Sequence, residues 1–150
     1  MTASNAQPQQ SLGRVLVIDD DRAVCDVVLH ILRRAGFEAI GAYHGMDGVR
    51  MAQQAPPDVI VLDVKMPELD GLETLARLRE QPSTKDVVVV AFTGLIIDEA
   101  SLRQRGFADV ILKPILAVDL VERLTRALQH SSTRGRPAEL SAMWRRVNIA

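Results

Sequence analysis

Cysteine is nearly absent. Cys25 is the only one in 150 residues, so no disulfide can form within the chain and CxxC-type metal or redox motifs are excluded. No sign of charge dominates: 18 Lys and Arg stand against 19 Asp and Glu, a formal net charge of −1. That balance gives no global electrostatic case for nucleic acid, and direct DNA binding is not expected. Nothing approaches the run of about 18 uncharged apolar residues that a membrane-spanning helix needs. The opening stretch, Met1 to Gln10, is polar and has no apolar signal core, so the expectation is a protein that is not exported. No internal repeat is visible. What is left is ordinary: 47% hydrophobic and 25% charged residues, close to average globular usage, in a length that suits one domain. These bounds describe a soluble, cytoplasmic single domain.

Charge is unevenly placed along the chain. Residues 1–13 carry none and include Gln7-Pro8-Gln9-Gln10, which predicts a disordered lead. Residues 14–130 hold 14 basic and 18 acidic side chains, net −4, whereas 131–150 hold 4 and 1, net +3. The expected organisation is a lead, an acidic domain over 14–130, and a basic linker plus short C-terminal helix over 131–150. In that tail, Pro137 can open a helix at its first turn. Leu140, Met143, Trp144 and Val147 follow at helical spacing, and Trp144 is the only Trp. Two readings stand for it: a terminal helix that frays or packs back, or an interaction helix for a partner or a second copy in a homodimer. Its apolar face is too short to anchor firmly at a membrane.

Between the lead and the tail, two kinds of segment alternate. Val15-Leu16-Val17-Ile18, Val59-Ile60-Val61-Leu62, Val87-Val88-Val89-Val90 and Val110-Ile111-Leu112 are short β-branched runs, with a weaker fifth from Phe37 to Ala42. They are nearly continuous rather than alternating, as expected of strands covered on both faces of a parallel sheet. Helix-period stretches lie between them: Val24, Val28, Ile31, Leu32 and Ala35 before a terminating Gly36, then Leu72, Leu75, Ala76 and Leu78, then Leu120, Val121, Leu124, Ala127 and Leu128. Five strands alternating with about five helices predict right-handed crossovers and an α/β, doubly wound, five-stranded parallel sheet.

Ligands in such sheets bind outside the carboxyl ends of the strands. Immediately after the strands stand Asp19-Asp20-Asp21, Asp63, Thr93-Gly94 and Lys113-Pro114. Carboxylates converging on one crevice repel one another and raise each other's pKa. A hard divalent cation relieves that repulsion, and oxygen ligands without a Cys/His cluster match Mg²⁺. A carboxylate beside the cation can also attack phosphorus and form an acyl phosphate. An ammonium and a hydroxyl nearby would stabilise the charge of the transferring group. Asp63, Asp20, Thr93 and Lys113 supply those roles.

On Asp19-Asp20, on Asp63 within Leu62-Asp63-Val64-Lys65-Met66-Pro67-Glu68-Leu69-Asp70-Gly71, on Thr93 and on Lys113-Pro114, the chain resembles the receiver domains of two-component response regulators, of the single-domain chemotaxis type. The resemblance covers about residues 13–130 and implies the flavodoxin-like (βα)5 fold. It implies that Asp63 is the phosphoacceptor, charged by the phosphohistidine of a sensor histidine kinase or histidine phosphotransfer protein. Mg²⁺ would be held by Asp20, Asp63 and the backbone carbonyl of Lys65, with Asp19 acting largely through bound water. Lys113, across a cis bond to Pro114, would contact the phosphoryl oxygens, and Thr93 would swing toward them and report the state to a protein target. Self-hydrolysis would be slow, so turnover enzymology is not expected.

Some residues depart from the family pattern. Val110 stands three positions before the Lys, where an aromatic residue is usual, and Ile115 stands where Phe commonly follows Lys-Pro. The stretch from Thr93 to Lys113 is about two residues shorter than usual and begins with apolar Leu95-Ile96-Ile97, so the fourth helix should be short or shifted. Lys65 and Leu95 are placed where they could crowd the hydrolytic water and set the acyl phosphate's lifetime; a solvent-facing Lys65 is the plain alternative. Two other functions compete. A receiver-like scaffold that ignores phosphate would follow if Val110 broke the switch. A haloacid-dehalogenase-like phosphatase would need an acid two residues after the nucleophile, where Lys65 stands.

Overall fold

The computed structural model describes residues 11–65, 70–94 and 98–129. Residues 1–10 of the lead expected at 1–13, together with Leu95 and the tail expected at 131–150, lie outside the described residues. Five strands and five helices alternate: β1 (Arg14–Ile18), α1 (Arg22–Ala35), β2 (Glu38–Ala42), α2 (Gly45–Gln54), β3 (Val59–Leu62), α3 (Gly71–Glu80), β4 (Val88–Thr93), α4 (Glu99–Gln104), β5 (Asp109–Leu112) and α5 (Ala117–Gln129). All strand pairs are parallel, in the order β2-β1-β3-β4-β5. The doubly wound sheet expected from the sequence is therefore the sheet that forms.

The continuous apolar runs have the cause assigned to them. Successive side chains on a strand point to opposite faces, and here both faces are covered. Val15 and Val17 face Cys25, Leu29 and Leu32 of α1 and Leu120 and Leu124 of α5. Leu16 and Ile18 face the other layer, with Val49 and Ala52 of α2, Leu75 and Leu78 of α3, and Leu102 of α4. Cys25 packs as a small hydrophobe; burial, then the nearby Asp19 charge, pushes its thiol up to about 12. Burying one Leu- or Ile-sized side chain contributes about 1.5–3 kcal/mol, so these two layers supply most of the driving force.

Helix ends are set by short polar side chains. Asp21 caps α1, its carboxylate accepting from the Val24 amide at 3.2 Å, and Asp70 caps α3 by accepting from the Glu73 amide at 2.8 Å. Gly36 ends α1 in the left-handed conformation, φ 107°, which costs glycine little. Helix α4 is one and a half turns long, six residues, as the shortened segment before Lys113 predicted. Helix α2 had no clear signal, since Gly45 and Gly48 lie inside it. Packing explains Gly48: a Cβ there would run into the Ile18 side chain.

Gly71 has a closer constraint. A Cβ at this position would lie 2.5 Å from the Asp63 carbonyl oxygen and 2.6 Å from the Val64 Cα. The Gly71 amide donates to the Val64 carbonyl at 2.9 Å, so the start of α3 is pressed against the backbone that carries Asp63. Gly71→Ala should destabilise the fold by about 1–3 kcal/mol. Gly94→Ala, where a Cβ meets nothing within 4 Å, should change stability by less than about 0.5 kcal/mol. Urea unfolding of the two variants measures both; equal stabilities would refute the crowding at Gly71.

Candidate functional site

Backbone hydrogen bonds carry the sheet ladder one rung past the strands and into the site. The Asp19 amide donates to the Ala42 carbonyl at 3.1 Å, the Asp63 amide to Ile18 at 2.9 Å, and the Lys113 amide to Thr93 at 2.9 Å. The sheet order reverses between β1 and β3, and a crevice opens where the order of such a sheet reverses. Asp19, Asp20 and Asp63 stand at that crevice.

The structure brings four predicted side chains together. Carboxylate oxygens of Asp19, Asp20 and Asp63 all lie within 4.8 Å of one another. Asp19 and Asp63 are buried, 1% and 6% exposed, while Asp20 is open to solvent. The Lys113 ammonium donates to Asp19 Oδ2 at 2.7 Å and stands 3.6 Å from Asp63 Oδ2. Burial, then repulsion from Asp19, pushes the Asp63 carboxyl up to about 6, although Lys113 and the Lys65 amide pull it down. That amide donates to Asp63 Oδ1 at 3.1 Å, and the Lys65 side chain points to solvent. An all-oxygen cluster with two buried acids and one exposed acid fits a hard divalent cation that retains some of its waters. Asp19, Asp20 and Asp63 are the residues that could hold one.

The remaining predicted residues take distinct places. Thr93 is the last residue of β4 and fully buried, rather than lying in the following loop. Lys113-Pro114 is joined by a cis peptide bond. Val110 is buried in the layer beneath α4, with Leu102 and Phe107. Ile115 packs partly buried against the α1/α5 layer.

Two contributors escaped the sequence reading. The Phe92 ring lies beneath the Lys113 ammonium, 5.1 Å from ring centroid to Nζ, within cation–π range. The alternation of β4 was the available signal, since it puts Phe92 on the face opposite Thr93. The Asp21 amide donates to Asp19 Oδ1 at 2.9 Å, so the turn into α1 orients the buried acid; a run of three Asp gives no hint of which one turns inward.

Asp63 sets a pH dependence of stability. Its carboxyl stands at about 6 in the folded chain against an ordinary 3.8, so folding favours its protonated form. Above pH 6 the folded state bears the cost of a buried charge; below about 4 both states are protonated and the cost is gone. Without divalent cations, Asp63→Asn should therefore stabilise the protein at pH 8 by on the order of 1–3 kcal/mol, with the gain shrinking as pH falls through 6. Urea unfolding in EDTA between pH 4 and 8 reads this directly, and no difference at pH 8 would refute it.

A sequence profile described as "Response regulator receiver domain" matches residues 15–125. The chain is 32% identical over 126 residues to transcriptional regulatory protein TrcR of Mycobacterium tuberculosis, covering 84% of this chain and 49% of TrcR. It is 31% identical over 118 residues to chemotaxis protein CheY of Listeria monocytogenes, covering 76% of this chain and 97% of that one. The chain thus spans about half the length of the transcriptional regulators it matches, and nearly the whole of a chemotaxis protein. Among solved structures, Vibrio cholerae CheY4 aligns with a TM-score of 0.71 at 30% identity, over 76% of this chain and 97% of that one. The receiver domain of the sensor histidine kinase PA1611 of Pseudomonas aeruginosa, which has a magnesium ion coordinated in its active-site cleft, aligns at 0.72 and 25% identity over 78% and 98%. On strand order, motif placement and sequence similarity together, the chain belongs to the receiver domain family of two-component response regulators.

Proposed function

We propose that this receiver takes a phosphoryl group onto Asp63 from the phosphohistidine of a histidine kinase or histidine phosphotransfer protein, with Mg²⁺, and signals through protein contacts in the cytoplasm. The observation that carries the reading is the pairing of a buried Asp63 with the Lys113 ammonium 3.6 Å away, among two further acids. An isolated Asp–Lys pair would neutralise itself; this cluster has three acids for one ammonium.

The transfer assigns each side chain a task. An Asp63 carboxylate oxygen attacks phosphorus, the new O–P bond forms as the donor's P–N bond breaks, and the electron pair leaves with the imidazole. Lys113 gains phosphoryl oxygens as hydrogen-bond acceptors in place of part of its hold on the acids. Asp20, Asp63 and the Lys65 carbonyl would hold Mg²⁺, with Asp19 acting through its bound water, and the cation would offset the negative charge gathered there. In slow self-hydrolysis water attacks the same phosphorus, the Asp63 O–P bond breaks, and inorganic phosphate leaves the restored carboxylate, so the protein is a switch and not a turnover enzyme. Phosphate adds roughly −1.5 to −2 charge at pH 7, and the Thr93 hydroxyl at the end of β4 is the group poised to answer it. The magnesium in the cleft of the similar PA1611 receiver supports the cation; direct DNA binding is no part of this reading.

One observation favours a second reading. Val110 is buried in the core, so no aromatic side chain stands there to swing with Thr93, and a receiver that ignores phosphate as a scaffold would look the same. The phosphatase alternative has no such support, because the exposed Lys65 takes the place of its acid.

Incubating the protein with acetyl phosphate, with and without Mg²⁺, and weighing it by mass spectrometry tests the chemistry. One Mg²⁺-dependent phosphate is expected, absent in Asp63→Asn, and added on the order of 10²-fold more slowly in Lys113→Ala. A phosphate that survives Asp63→Asn would mean that another group is the acceptor. No phosphate at all would favour the scaffold.

A further inference from the structure

An apolar groove of about 330 Å³ lies between α1 and the start of α5, lined by Val24, Val27, Ile31, Phe92, Ile115 and Leu120 among others. Val27 is 59% exposed, and Leu116 and Val118, which flank the lining residues in the chain, are 70% and 68% exposed. Water is left against this surface unless something covers it.

We propose that the occupant is residues 137–147 of the same chain, folded back as an amphipathic helix that seats Leu140, Met143, Trp144 and Val147 in the groove. Reach permits it. Helix α5 ends at Gln129 and has 13 residues, so the groove at its start lies about 20 Å back along the helix. Residues 130–136 can extend about 23 Å, enough to return along α5. An 11-residue helix is about 16 Å long, against about 12 Å for the α1 stretch from Ala23 to Ile31 that lines the groove.

Charge agrees. Residues 131–150 carry +3 and residues 14–130 carry −4, and Arg145 and Arg146 directly follow Trp144. On α1, α5 and the turn before α1, the exposed acids are Asp20, Asp21, Asp26, Asp119 and Glu122 and the exposed basic groups are Arg22, His30, Arg33, Arg34 and Arg126, of which Arg126 is paired with Glu122 at 3.0 Å. A tethered segment also meets its groove at millimolar effective concentration, which favours it over a second copy in dilute solution.

Trp144 is the only Trp in the chain, so intrinsic fluorescence of the full-length protein reports this contact whether or not Asp63 is phosphorylated. The expected result is blue-shifted emission and acrylamide quenching several-fold weaker than that of a synthetic peptide of residues 131–150, unchanged on dilution. Val27→Asp, a surface substitution, should raise quenching to the peptide's level with the circular dichroism unaltered, while Met46→Asp, exposed on α2, should not. Peptide-like quenching in the intact protein would overturn the proposal. So would protection that disappears on dilution, which would mean a second copy, or protection that Val27→Asp leaves intact, which would mean another resting place.

Discussion

Two carboxylates almost out of reach of water, Asp19 and Asp63, share one end of the sheet with a single ammonium. Left alone they would repel each other strongly, because the low dielectric of the interior that strengthens a pair also strengthens a repulsion. Much of the upper half of the molecule can be understood as holding this arrangement in place. The last ladder bonds fix the backbones of Asp19, Asp63 and Lys113. The Asp21 amide takes one oxygen of Asp19 and Lys113 the other, the Lys65 amide takes one oxygen of Asp63, and the Phe92 ring supports the ammonium from below. Gly71 lets α3 approach without displacing that backbone. The site is a concentration of unfavourable charge that a rigid frame makes tolerable, and a cation or a phosphoryl group would meet groups already in position.

The lower and outer parts of the molecule are held differently. Arg79 of α3 donates to the carbonyls of Lys85 and Val87 at 2.9 and 2.7 Å, tying the end of α3 to the entry of β4. At the β5 edge of the sheet, Asp109 is gripped by Arg123 of α5 at 2.6 Å and by Arg103 of α4 at 2.9 Å. Burial would push the Asp109 carboxyl up, but the hydrogen bonds from Arg123 and its neighbours hold it below its ordinary value. This cluster links α4, β5 and α5 through one carboxylate, on the side of the sheet edge where Val110 replaces the usual aromatic residue. Charge at the crevice and charge at this edge are separated by the apolar end of the sheet.

The fold was legible because its physics is local. Val15 to Ile18 and Val59 to Leu62 announce strands buried on both faces, and Gly36 announces the end of α1. The ends of those strands then placed Asp19, Asp20, Asp63, Thr93 and Lys113 on one rim without any knowledge of contacts. What stayed hidden depends on distance through space. Nothing in Asp19-Asp20-Asp21 distinguishes the buried, ion-paired acid from the exposed one and the helix cap; that follows from the turn made after β1. Phe92 reads as one more apolar strand residue until Lys113, 21 positions later, folds over it. Helix α2 was obscured by Gly45 and Gly48, and the presence of Gly48 is explained by Ile18 on a different element.

Thr93 combines two conditions. Its carbonyl accepts the Lys113 amide, which pins its backbone as part of the sheet, and its side chain is buried. The main chain there has no room to hinge. Whatever Thr93 conveys must then be carried by rotation about a single bond, χ1, among the few staggered wells open to a β-branched residue. On the function proposed above, a memory of that kind would be discrete and small, an ångström-scale hop between rotamers, expressed as a shift in their populations rather than as a displacement of the Thr93 backbone.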